Sequence, residues 1–271
     1  FRNDSLIAAI GKAEHGGSFD FPDWCAPLFD LYDALFSATS GAIDPCVGED
    51  LIRLGYDASL SFTVTQDAPE HLGALRGRAV WGRDVTRHGT TLVTHEPVQL
   101  DFGACGKGYL VDLLGRMLQS SQFVIDAGGD LLIHAEQPIS VALEDPEDQS
   151  HAIGIAHIAN GALCASAPSR RHWNVAVNER TQIAIHHLLN AIDGLPAQQT
   201  EASWAYVPAN ATLNLARDYP TAVADGLATA LFVSDVAQLQ RTFDFTYATL
   251  DESRQIAVSR NFPADLFLRS A

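Results

Sequence analysis

Antiparallel strands and amphipathic helices, mixed along one chain, are what this sequence of 271 residues predicts. Three observations carry that prediction. Runs in which apolar and polar residues alternate, bounded by glycine turns, recur from Ser59 to Val98 and again from Phe123 to Val177, the pattern of half-buried strands. Apolar residues at helical spacing mark residues 22–40, 110–117 and 223–232. An apolar content of 47% is ample for a core. No stretch reaches the roughly eighteen uninterrupted apolar residues of a membrane helix, and no solenoid repeat is visible.

In chain order, Leu28, Leu31, Tyr32, Leu35 and Phe36 fall on one helical face, and Ser40-Gly41 supplies a stop. Gly41-Ala42-Ile43-Asp44-Pro45-Cys46-Val47-Gly48 is then a turn that presents Asp44, a residue type that in turns usually bonds nearby amides. Leu60, Phe62, Val64, Ala79-Val80-Trp81, Val85 and Leu92-Val93 alternate as antiparallel strands, with Gly82-Arg83-Asp84 and His88-Gly89 as hairpin turns. Val98 to Phe102 is predicted as a short strand and Gly103 to Gly108 as a glycine loop. Leu110, Leu113, Leu114 and Met117 would form the buried face of the helix that follows. Phe123 to Asp126 and Leu131 to Ile133 read as a hairpin across Ala127-Gly128-Gly129-Asp130. Further strands are expected at residues 139–143, 153–158, 162–165 and 174–177. Ile183 to Pro196 is an apolar run closed by a turn, in which the adjacent His186 and His187 must face opposite ways. Val223 to Phe232 reads as a helix buried along Ala224, Leu227, Ala228 and Leu231, and a helix and a strand follow between residues 238 and 250.

Charge narrows the function. With 33 acidic residues against 17 basic, the formal charge is −16, which excludes a sequence-independent grip on nucleic acid or an anionic membrane surface. A phosphorylated ligand would need a local positive site. The four cysteines, at positions 25, 46, 105 and 164, form no CxxC pair and no zinc-ligand spacing. They read as small buried apolar residues. The chain starts at Phe1 rather than methionine, so a preceding segment is expected, and any signal peptide would lie there.

Three constellations carry chemistry. A glycine turn opening a helix aims backbone N–H groups and the positive helix end at whatever lies ahead, suiting an anion such as phosphate, and Lys107 adds a mobile charge. It is not a P-loop. That motif needs four residues between its first glycine and the Gly-Lys pair, whereas only Ala104 and Cys105 intervene here, and Gly108 follows the lysine. Asp225 and Thr229, four apart on one helix, share a face and are hard oxygen donors suited to Mg²⁺ bound with a substrate phosphate. Local bonding of both to their own helix is the alternative. His187 is open to either a structural or a catalytic role.

In combination these segments resemble the ApbE family of flavin transferases. Leu100 to Asp112 is similar to the family's Asp-Leu-Gly-Ala-Ile-Ala-Lys-Gly-Tyr-Ala-Val-Asp signature, and Ser40 to Gly48 to its Gly-Ala-Phe-Asp-Pro-Thr-Val-Gly turn. Gly128-Gly129-Asp130 resembles Asn-Leu-Gly-Gly-Asp, and Asp145-Pro146 matches a further family turn. His187 to Pro196 resembles His-Ile-Ile-Asp-Pro-x-Thr-Gly-x-Pro, and Ala224 to Ala230 resembles Ala-Asp-Ala-Leu-Ala-Thr-Ala.

The resemblance implies an α+β fold of the T-fold-like kind, with mixed antiparallel sheets and packed helices, as a single domain over residues 1–271 that lacks the family's N-terminal strand. It implies an enzyme that uses FAD and Mg²⁺, transfers FMN to a threonine of an acceptor flavoprotein subunit and releases AMP. Asp101, Lys107 and the amides from Gly103 onward would contact FAD. The carbonyl of Ala104 would join Asp225 and Thr229 around the metal. Ala42, Ile43, Asp44 and Leu188 would line the flavin nucleotide site, with His187 at the reacting end, and His187 or Asp225 would take the hydroxyl proton. Compartment stays open between an exported or periplasmic and a cytoplasmic location in a bacterium. Asn190-Ala191 stands where the family has Asp-Pro, which keeps a non-catalytic FAD-binding or flavin-delivery protein as an alternative. An FAD pyrophosphatase giving FMN and AMP is the other.

Overall fold

The computed structural model describes residues 4–118, 120–178 and 181–267. Helix α1 (Leu6–Lys12), strand β1 (Gly17–Asp20), helix α2 (Ala26–Ala38), the short helices α3 (Gly48–Arg53) and α4 (Ala68–His71), and the hairpin β2 (Val85–His88) and β3 (Thr91–Thr94) come first. Helix α5 (Gly103–Met117) follows, then β4 (Phe123–Asp126), β5 (Asp130–Glu144), β6 (Ala152–Ser166), β7 (His172–Asn178), β8 (Thr181–His186), β9 (Leu189–Asn190), β10 (Leu195–Pro196) and β11 (Thr200–Pro208). The chain closes with α6 (Asn214–Asp218), α7 (Pro220–Ala230), α8 (Val236–Leu239), β12 (Thr246–Asp251), β13 (Ile256–Val258) and β14 (Ala264–Leu266). Every paired strand is antiparallel to its neighbours, so the α+β reading holds.

Two compact units result: Phe1–Phe102 with Arg171–Ala197, and Gly103–Arg170 with Gln198–Ala271. In the first, β1, β3 and β2 form a three-stranded sheet. Ile10, Phe29, Trp81, Val85, Leu92 and Leu100 form a core cluster in this unit, and a second core gathers Leu51, Leu54, Trp173, Ile185 and Leu189. Leu28, Leu31, Tyr32 and Leu35 are buried on α2 as the spacing requires. Between Ser59 and Trp81 the expected strands do not form. Leu60 and Phe62 adopt left-handed φ values of 51° and 49°, so alternation there belongs to an irregular crossing that exposes both side chains.

The second unit is built on a sheet ordered β13-β12-β11-β6-β5-β4, to which β14 adds alongside β6. Ile133, Leu143, Ile158, Leu163, Trp204 and Leu250 belong to one buried cluster of this unit, and α5 and α7 pack on β5, β6 and β11. The expected strands at 139–143, 153–158 and 162–165 are parts of just two long strands, β5 and β6, whose pairing is irregular between His134 and Ile139.

Two expectations around the glycine segment are corrected. Val98 to Phe102 forms no strand, and α5 begins at Gly103, so Gly106, Lys107 and Gly108 lie in helix rather than in a loop. The buried face of α5 is also different. Cys105, Gly108, Tyr109, Val111 and Asp112 point inward, whereas Leu110, Leu114 and Met117 are exposed at 56%, 44% and 76%. The physical reason is helix contact. A Cβ on Gly108 would lie 2.9 Å from Asp225 Cβ and closer still to the carbonyl oxygen of Thr221, so α5 meets α7 through its smallest residue.

Candidate functional site

In the first unit, three segments distant in sequence converge. Asp101 donates its amide to the Pro45 carbonyl at 2.7 Å, and Ala191 donates its amide to the Ala42 carbonyl at 3.0 Å. The Gly41–Gly48 turn is thereby joined to the segment before α5 and to the turn after His187. Arg78, which the sequence did not single out, locks this arrangement. Its buried guanidinium lies 2.8 Å from Asp50 and 3.5 Å from Asp44, and donates to the carbonyls of Ala79 and, at 2.7 Å, Ala191. Asp50 also accepts the Gly73 amide at 2.8 Å. Burial raises the Asp50 carboxyl to about 6, with Arg78 opposing that rise. A charged residue next to the apolar run Ala79-Val80-Trp81 was the available signal.

Asp44 faces inward. Its carboxylate accepts the amides of Cys46 at 2.8 Å and Trp81 at 3.4 Å, capping the helical turn it precedes. Ala42, Ile43 and Leu188 are also buried in this unit, so what this turn can offer a ligand is its backbone rather than the Asp44 carboxylate.

The two histidines have different surroundings, His186 ending β8 and His187 lying in the bend just after it. His186 is buried; Nε2 donates to the Ala197 carbonyl at 2.9 Å, and Nδ1 accepts the Leu188 amide at 3.3 Å. That pair of bonds needs the neutral ring, and burial holds its pKa below the usual histidine value. His187 is half-buried, 3.4 Å from the Arg171 carbonyl through Nδ1 and 6.4 Å from the ring of Tyr56. A carbonyl can only accept, so this contact calls for a proton on Nδ1, and in the neutral ring the lone pair then falls on Nε2. Asn190, in place of the family's aspartate, accepts the Ile192 amide at 3.0 Å. An aspartate would cap the turn the same way, so the turn survives the exchange.

The second unit brings together the remaining residues. Lys107 Nζ lies 3.0 Å from Asp130 and 3.3 Å from the Gly128 carbonyl. On α7, Asp225 is 5% exposed and accepts the Gly108 amide at 3.0 Å. Ala104 lies one helical turn before Gly108 on α5, the position whose carbonyl a regular helix directs toward residue 108. Thr229 follows Asp225 by one turn on the same face. Gly103 opens α5. Burial first, and then the charge of Asp130, push the Asp225 carboxyl well above the ordinary carboxylate range, and burial raises Asp130 despite Lys107.

Asp112, also not singled out, fixes how this cluster is presented. Its carboxylate crosses from α5 to accept the amides of Thr221 at 3.0 Å and Ala222 at 2.8 Å, satisfying the first turn of α7, which has no cap of its own. Burial raises this carboxyl to about 6 against those bonds.

A family model described as the ApbE family matches residues 1–249. The chain belongs to the ApbE family. Solved structures of similar fold include an ApbE protein from Thermotoga maritima, 19% identical with a TM-score of 0.78 over 98% of this chain and 85% of that one. The flavin transferase ApbE from Vibrio cholerae is 17% identical with a TM-score of 0.72, covering 97% and 83%. The apo flavinyl transferase ApbE from Pseudomonas stutzeri is 19% identical with a TM-score of 0.69, covering 96% and 80%. At these identities the likeness establishes the ApbE fold. A search of curated protein sequences returned no match. Among the described residues no helix is long and apolar enough to cross a membrane.

Proposed function

We propose that this ApbE-family chain is an FAD:protein FMN transferase that moves FMN from FAD to a threonine hydroxyl of an acceptor flavoprotein subunit and releases AMP. The observation that carries the reading is the cluster of Lys107, Asp130 and Asp225 at the packed junction of α5 and α7. Two carboxylates that water barely reaches, facing one half-exposed lysine, lack the positive charge their burial calls for. A hard divalent cation would supply it. The donor types on hand, carboxylate, hydroxyl and backbone carbonyl, are those Mg²⁺ prefers.

Asp225, Thr229 and the Ala104 carbonyl would hold Mg²⁺, whose chemistry is to neutralise charge developing on the pyrophosphate oxygens. Lys107 and the first-turn amides of α5 would bind the same phosphates, since a helix start favours an anion. Asp101 and the backbone of Ala42, Ile43, Asp44 and Leu188 would hold the rest of FAD. The acceptor hydroxyl must lose a proton as its oxygen attacks phosphorus. His187 in its neutral form, with Nδ1 turned to the Arg171 carbonyl, would be the better base; the Asp225 carboxylate accepts from Gly108 and would be held by the metal.

Purified protein incubated with FAD, Mg²⁺ and a panel of flavoprotein subunits bearing surface threonines is expected to give flavin fluorescence that survives a denaturing gel. FAD binding with no covalent flavin on any acceptor would instead support the flavin-delivery reading motivated by Asn190 and Ala191.

A further inference from the structure

We infer that Asp130 is a second carboxylate of the cation site built on Asp225, and that Lys107 holds its place in the metal-free protein. The inference deepens the Mg²⁺-dependent reading above and rests on it. Asp130 begins β5 at the end of the Gly128-Gly129 turn. Its side chain is fully buried, and neither carboxylate oxygen accepts a hydrogen bond of ordinary geometry. A buried acid in ordinary structural use looks different: Asp112 accepts two amides, and Asp44 accepts those of Cys46 and Trp81. Asp130 faces the Lys107 ammonium at 3.0 Å instead, with the Asp225 carboxyl and the Cys164 thiol as further neighbours.

Lys107 is a replaceable partner. Its side chain is 45% exposed on a flexible stem, so the ammonium can leave Asp130 for water or for a phosphate at small cost. Once it leaves, Asp130 and Asp225 present two carboxylates with no cation between them, which is the charge pattern of a divalent site. The nearby sulfur does not make this a soft-metal site, because the Cys164 thiol is buried and donates to the Thr221 carbonyl at 3.5 Å. An oxygen-only donor set follows: Asp130, Asp225, the Thr229 hydroxyl and the Ala104 carbonyl. Under this arrangement metal and lysine compete for Asp130, and metal loading hands the lysine to the phosphates.

Mn²⁺ titration of the full chain, followed by the loss of free-ion EPR signal in the absence of FAD, tests this. Asp130→Asn is expected to weaken Mn²⁺ binding at least about tenfold, the scale on which even outer partners of metal ligands act. Lys107→Met is expected to tighten it several-fold, and the double variant Lys107→Met/Asp130→Asn should lose that gain. A merely structural Lys107–Asp130 ion pair would give no tightening. Should Asp130→Asn fail to fold, the charge-balanced double variant compared with Lys107→Met carries the decision. Unchanged binding in Asp130→Asn, together with loss in Asp225→Asn, would overturn the role of Asp130 and leave the transferase reading standing. Absence of Mn²⁺ binding by the wild-type protein would overturn both.

Discussion

The amide of Gly108 on α5 donates to the carboxylate of Asp225 on α7 at 3.0 Å, a bond possible only because residue 108 has no side chain. Gly108→Ala would drive a methyl group into Asp225 and the Thr221 carbonyl. Overpacking of this kind costs about 1–3 kcal/mol. The expected outcome is a lower urea midpoint together with weakened Mn²⁺ binding; a variant as stable as the wild type and unchanged in metal affinity would show that the helices can separate without consequence.

Arg78 is the keystone of the first unit. Arg78→Met would leave Asp50 buried without its cation and remove the bond to the Ala191 carbonyl. Loss of one partner from a buried charge pair costs about 3–5 kcal/mol. Hydrogen exchange should show faster exchange at the Ala191 amide in that variant, at unchanged protection in β5 and β6 of the second unit.

Asp112 gives a pH signature. Its folded carboxyl titrates at about 6 against an ordinary value of 3.8, so the folded state binds more protons between those limits. Stability from this group is therefore greatest at the acid end and falls as pH rises from 3.8 to 6. Comparison of urea stability for the wild type and Asp112→Asn is expected to show a difference that shifts against the wild type by up to about 3 kcal/mol across that window. A pH-independent difference would refute the raised carboxyl.

The histidine pair separates structure from chemistry. His187→Gln is expected to lower kcat by about 10²–10⁴-fold, the usual weight of a general base, with FAD affinity retained. His186→Gln, which loses bonds to Ala197 and Leu188, should instead lower the melting temperature. Reversal of these two effects in paired kinetics and thermal melts would exchange their roles.

Most of the architecture was legible because local pattern and tertiary need agreed. Alternation over Phe123 to Asp126 and Leu131 to Ile133, with two glycines between, specified the β4–β5 hairpin. The apolar spacing of α2 named its buried face. Reading failed where long-range contact outvoted periodicity. Leu110, Leu114 and Met117 keep helical spacing yet face outward, since α5 is turned by Gly108 and Asp112 toward α7. That Asp225 and Thr229 share a helix face was legible from their spacing; spacing alone did not say whether that face binds a metal or bonds its own helix. Arg78, Asp50, Asp112 and Asp130 were not legible, because each acts through a partner at least 23 residues away, and one sequence carries no record of such pairings.

FMN transfer is tested most directly by counting products. Wild-type protein given FAD, Mg²⁺ and a threonine-bearing acceptor subunit should yield AMP equal to the covalent flavin found on threonine by mass spectrometry, without free FMN. AMP accompanied by an equal amount of free FMN and an unmodified acceptor would contradict protein transfer and identify water as the acceptor.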